Sequence, residues 1–205
     1  MSVFGQSRPF VGWKIKVTDI ITDGLSGSDG LDRRAQRSRS ALVAAFVSLV
    51  LQRRYDAISV GEIADAAGVG RSTFYDHFRN KDALLREGLK QPFAILAGMV
   101  DGGDPAREHE VVEHFWENRR VGNVLFAGAT RQILTQALCA AFERRLALSR
   151  RAPPDLPVGL AAAWLAAAQV GLLAEWLTGH TPCSSAVIVG ALRRLTVTGL
   201  SRGGQ

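Results

Sequence analysis

A chain of 205 residues with 47% hydrophobic side chains can bury a proper core, in one compact domain or two small helical ones. Its two cysteines, Cys139 and Cys183, stand alone, without the spacing of a metal site, so they are read as inert thiols of a reducing cytosol. The net charge of +6 says less than its placement: from Arg33 to Tyr55 there are six arginines and no acid, and the remainder is nearly balanced.

In residues 1–31, Trp13, Ile15 and Val17 alternate with Lys14, Lys16 and Thr18, a strand-like pattern with no second strand to pair with it. Gly24 to Gly30, GLSGSDG, reads as a flexible linker. No apolar run of about 7 or more residues follows Met1, which argues against a secretory signal. The segment is taken as a flexible extension; an arm carrying Lys14 and Lys16 to DNA, or an overextended gene start, are the other readings.

Asp32 to Arg54 should form the first helix, capped by Asp32 or a neighbour. Ala41, Leu42, Ala45, Phe46, Leu49 and Val50 repeat at three and four, giving it one apolar face. Arg33, Arg34, Arg37 and Arg39 crowd its start, where cations oppose the helix dipole. They therefore have another use, and DNA phosphate is the natural one, with Arg33 and Arg37 the named candidates.

Ser59 and Glu62 form an S-x-x-E capping box, so a second helix starts at Val60. Ile63, Ala64 and Ala67 make its apolar stripe, and Gly68 stands where a left-handed residue would end it. After Gly68-Val69-Gly70, a third helix from Arg71 to Phe78 turns Phe74 and Phe78 inward. Ser72, Thr73 and Asp76 then point outward, with Arg71, Tyr75 and His77 on the flanks. This is a helix-turn-helix whose second member can enter the major groove.

Across GVGRSTFYDHFRNKDALLREGL, Gly68 to Leu89, with VGEIADAAG before it, the sequence resembles the TetR family of bacterial transcription regulators. The resemblance implies an all-α chain: an N-terminal three-helix helix-turn-helix DNA-binding domain at 32–90, and a C-terminal helical ligand-binding and dimerisation domain at 91–205. It also implies that Ser59, Tyr75, His77 and Lys81 hold phosphates. Arg71, Ser72 and Thr73, after the turn residue Gly70, are placed for base edges. Asp76 is a weaker member, since a carboxylate near phosphates needs a cytosine amine, Arg71 or Arg79 as partner.

Lys81 opens the fourth helix, whose core face is Leu84, Leu85 and Leu89. Pro92 removes one helical hydrogen bond, which predicts a kink or break near Gly88 to Gln91. Helices should follow at Ala106 to Asn118, Val121 to Ala127 and Thr130 to Ser149. His109 with Glu113, and Glu110 with His114, are i,i+4 pairs facing different directions, so exposed ion pairs or polar lining is preferred over a metal site. Phe93, Leu96, Met99, Phe115, Trp116, Phe126, Gln132 and Trp164 are the candidates to line a ligand cavity, with plain core packing the other reading of each.

Val158 to Ala174 is nearly all apolar and close to the length of a membrane span, yet it is rich in alanine and ends at Glu175. It is read as a helix buried by a partner, not by lipid. Ala163, Ala167, Gly171 and Ala174 form a small-residue face. A last helix from Ser184 to Leu200 carries Val187, Ala191, Leu192 and Leu195. Two such helices imply a four-helix bundle with a second copy, the dimer interface that the resembled family uses.

No Gly-rich phosphate loop, nucleophile elbow or His/Cys cluster is present in the sequence, so no enzyme activity and no cofactor or metal is expected. The expected protein is a cytoplasmic homodimer that binds a near-palindromic DNA operator and is released from it by a small molecule of unknown identity. A ligand-independent DNA-organising protein is the alternative, and a metal-dependent hydrolase built on the two His/Glu pairs a distant third.

Overall fold

The computed structural model describes residues 30–200 other than Leu51, Ala129 and Pro154, so the expectations for residues 1–29 lie outside the described residues. Nine α-helices and two short 3-10 turns follow one another among the described residues, with no strand. The helices are α1 (Gly30–Val50), α2 (Val60–Ala66), α3 (Arg71–His77), α4 (Lys81–Ala97), α5 (Pro105–Glu117), α6 (Arg119–Ala127), α7 (Arg131–Leu148), α8 (Val158–Leu177) and α9 (Ser185–Leu200).

Local chemistry accounts for the first four helices. α1 starts two residues before Asp32 and ends at Val50, short of Arg54, where a 3-10 turn at Tyr55–Ala57 takes over. Its stripe of Leu42, Phe46 and Val50 is buried in one core cluster with Ile63, Phe74 and Phe78. The capping box of α2 is complete: Ser59 Oγ accepts from the Glu62 amide at 3.2 Å, and a Glu62 carboxylate oxygen accepts from the Ser59 amide at 2.9 Å. Gly68 ends α2 at φ +68°, and the amides of Gly68 and Val69 return to the carbonyls of Asp65 and Ala64 at 3.1 and 3.0 Å. This is a Schellman closure, and it fixes the angle at which α3 leaves.

Pro92 does not break α4, which runs unbroken from Lys81 to Ala97. The expected break is absent, and α4 is held on two flanks just before the proline: by α1, where Val43 and Val47 approach Gly88, and by α7, where Arg86 donates to Gln136 Oε1 at 3.3 Å. Packing of this kind offsets the lost bond.

The C-terminal helices pack around α7 and α8. Ten residues of α8 are buried, including Leu165, Val170 and Leu173. Val158–Leu177 is long and apolar enough to cross a membrane by length and composition, but its buried face belongs to the protein core. Buried Gln169 donates to Thr196 Oγ1 at 2.9 Å, joining α8 to α9, and the Thr196 hydroxyl donates in turn to the Leu192 carbonyl. From α5, Glu108 meets Arg193 and Glu113 accepts from the Ser185 hydroxyl, so α9 is held on a second side.

Candidate nucleic-acid interface

The short α3 keeps Phe74 fully buried and leaves its other side in solvent. Arg71, Ser72 and Asp76 are exposed, Thr73 and His77 are half-buried, and Tyr75 is 60% exposed with Phe74 edge-on beneath it at 5.4 Å. Gly70 is the exposed N-cap residue of α3 and supplies no side-chain cap. Arg33, Arg34 and Arg37 are exposed on the first turns of α1. Cations, hydroxyls and a phenol are thus exposed on α1 and α3, a chemistry suited to phosphate and base edges.

Several sequence expectations meet a different geometry. Lys81 Nζ donates to the carbonyls of Tyr55, Ile58 and Asp56 at 3.0, 3.2 and 3.4 Å, and sits 4.5 Å from the centre of the Tyr55 ring. An ammonium has three protons, so this one has none left for a phosphate. Tyr55 in turn donates its hydroxyl to Asp82, and burial, reinforced by that carboxylate, pushes the phenol far above its ordinary range. Together these bonds fasten the α1–α2 connection to the start of α4.

Replacing Lys81 with methionine is accordingly expected to cost about 2 kcal/mol of stability, from the loss of charge-assisted bonds to the carbonyls of the α1–α2 connection. The melting temperature should fall while DNA affinity per folded molecule stays near that of the parent. A large affinity loss with an unchanged melting curve would return Lys81 to phosphate binding.

Ser59 is also committed locally, since its hydroxyl donates to Glu62 as well as capping α2. The Ser59 amide and hydroxyl, with Arg53 beyond them, hold the Glu62 carboxyl below its ordinary value. Arg39 pairs with Glu87 at 2.9 Å and lies 5.0 Å from the centre of the Phe78 ring, tying α1 to α4.

A cavity of about 500 Å³ lies between this unit and the helices that follow. Val43, Phe46, Val47 and Val50 of α1 form one wall, with Gly88 to Pro92 of α4, Phe115 of α5 and Val121, Leu125 and Phe126 of α6 opposite. His114 and Asn118 add polar groups to a mainly apolar lining, and burial holds the His114 imidazole below its ordinary value.

Of the eight residues expected to line a cavity, Phe115 and Phe126 do so. Phe93, Leu96 and Met99 are absent from the lining and belong to the packed core instead. Trp116 is taken up by a stack on Trp176, 4.8 Å between centres, with the Arg119 guanidinium near its ring. Gln132 is exposed on α7, and Trp164 is 46% exposed on α8, lying across Gly199 of α9.

Sequence reading missed the α1 wall. Val43 and Val47 form an i,i+4 pair beside the stripe that packs inward, and Gly88 in a helix interior was the signal that another helix approaches there.

On the outer face of α8 and α9, Ala163, Ala167 and Val187 are exposed, while Gly171, Ala191 and Leu195 are half-buried. Ala174, expected with them, is buried at the end of α8 where the chain doubles back and Trp176 Nε1 donates to the Cys183 carbonyl at 3.0 Å. Leu160, Trp164 and Val197 extend this apolar surface. Cys139 is half-buried, and burial with the nearby Glu143 raises its thiol above the ordinary value, away from nucleophilic use. No group of three or more His, Cys, Asp or Glu that could hold a metal occurs among the described residues.

Residues 37–87 match the model of the bacterial regulatory proteins of the tetR family. An uncharacterized HTH-type transcriptional regulator of Bacillus subtilis (strain 168), YxbF, is 35% identical over 67 residues, which are 32% of this chain and 18% of that protein. The crystal structure of a TetR transcriptional regulator from Streptococcus agalactiae 2603V shares the fold: it is 22% identical, with a TM-score of 0.51, and the match covers 80% of this chain and 96% of that one.

Proposed function

We propose that this chain, whose residues 37–87 match the tetR-family model, is a TetR-family regulator, and specifically a cytoplasmic homodimeric repressor released from a near-palindromic operator by a small, mainly apolar molecule. The DNA-binding unit comprises about residues 32–90 and the dimer function belongs to 91–205; the ligand function, expected within 91–205, also draws on α1 and the first part of α4, which line the cavity. Ser72 and Thr73 read base edges, while Tyr75, His77, Arg33 and Arg37 hold the strand. Pairing of the α8–α9 faces of two copies sets two α3 helices one helical turn apart, the spacing of successive major grooves.

The observation that carries ligand control is the position of the cavity, which has a DNA-binding helix for one wall. A molecule that fits better when α1 stands away from α4 selects conformers whose reading heads no longer match the operator. It must distinguish the two states by about 5.5 kcal/mol to carry the population from 99:1 to 1:99. The half-buried His114 and Asn118 offer hydrogen bonds that orient such a molecule.

The test is a footprint of the purified protein on DNA flanking its own gene at about 150 mM salt, where non-specific binding is weak. A protected near-palindrome, lost when a library of apolar compounds contains the effector, is the expected result. Uniform protection of all sequences would favour a DNA-organising role instead.

A further inference from the structure

Arg71 is the first residue of the recognition helix, where helix-turn-helix proteins make base contacts. Its guanidinium does not reach forward from that end. It folds back over α2, where a β-carbon built on Gly61 would stand 2.5 Å from Nη2 and 3.0 Å from both Cζ and Nε. Real β-carbons do not come so close, so the flat guanidinium rests on Gly61 in space that only a hydrogen leaves open.

Gly61 is inside α2, is not among the positive-φ glycines, and has no other group among its three nearest atoms. Alanine is the better helix former at such a position, and the glycine leaves the guanidinium its place against α2. Arg71 itself is exposed and makes no ion pair among the described residues.

In this motif the first helix crosses the sugar–phosphate strand while the second enters the groove. A guanidinium parked on the first helix therefore stands at the strand and not at a base edge. We propose that Arg71 is a phosphate clamp, that Gly61 is the positioning residue that holds it there, and that sequence reading falls to Ser72 and Thr73. This rests on the DNA-binding reading above.

The test uses the full chain and three kinds of duplex: one selected from random sequence by the parent protein, its single-base variants, and a mixed-sequence control. Arg71→Ala should weaken binding to all of them by about the same factor, near tenfold. The slope of log affinity against log salt should shrink by about 0.9, the value of one phosphate contact. Arg71→Lys, which keeps the charge, should retain the slope and the base preference, whereas Thr73→Ala should alter preference at one or two base pairs.

Gly61→Ala should lose affinity in the parent and nothing further in the Arg71→Ala background, with no fall in melting temperature. Altered preference at one or two base pairs in Arg71→Ala, with the salt slope unchanged, would make Arg71 a base reader and overturn the clamp. Additive losses from Gly61→Ala and Arg71→Ala would remove the positioning role. A parent protein that binds no duplex overturns the DNA-binding reading and this inference together.

Discussion

Arg193→Ala should lower stability by about 3 kcal/mol at neutral pH, because removing one partner of a buried ion pair leaves the other charge uncompensated. Glu108 is fully buried, and Arg193 donates to its two carboxylate oxygens at 2.5 and 3.0 Å and to the Gly102 carbonyl at 3.0 Å. The Arg193 side chain is 30% exposed, so water reaches part of the pair and the lower end of the range for buried pairs applies.

The pH dependence of this loss identifies its cause. Burial already holds the Glu108 carboxyl above its ordinary value of 4.5, against the pull of Arg193. Without Arg193 the upward push is opposed by nothing. A carboxyl whose folded pKa exceeds its unfolded one favours the protonated folded state, so its penalty is absent below about 4.5 and grows as pH rises above it. Urea unfolding at pH 4 and pH 7 checks this: the gap between parent and Arg193→Ala should be small at pH 4 and wide at pH 7. An equal gap at both would trace the loss to packing of the arginine stem.

The second large effect is functional. Val187 is 54% exposed on α9, so Val187→Arg displaces nothing inside the subunit. On the proposed dimer it puts a charge into a desolvated apolar interface, twice by symmetry. The variant is expected to sediment as a folded monomer and to bind the operator about 100-fold or more weakly, since the second half-site no longer acts at high effective concentration. A dimeric Val187→Arg protein with undiminished operator affinity would place the interface elsewhere.

Trp164 shows where sequence reading reaches its limit. A large aromatic in an apolar helix reads equally as cavity lining or as core, yet it lies half-exposed across Gly199 on the face assigned to a second copy. Lys81 teaches the same lesson at the DNA-binding unit. Its position in the motif suggested a phosphate contact, while the carbonyls that occupy its protons come from a segment more than twenty residues earlier in the chain.

What the sequence determined by itself is local. The capping box at Ser59 and Glu62, the left-handed Gly68 and the inward pair Phe74 and Phe78 act within a few residues of one another, so helix, turn and helix follow from short-range hydrogen bonds and periodicity. The tertiary structure alone decided what lies between helices distant in sequence. The cavity wall from α1, the unbroken course of α4 past Pro92, the rest of Arg71 on Gly61 and the Glu108–Arg193 pair all depend on how close two helices approach and at what angle. Helix periodicity states which face is apolar, but many partners satisfy the same face, and side-chain shape and crossing angle choose among them only in the packed molecule.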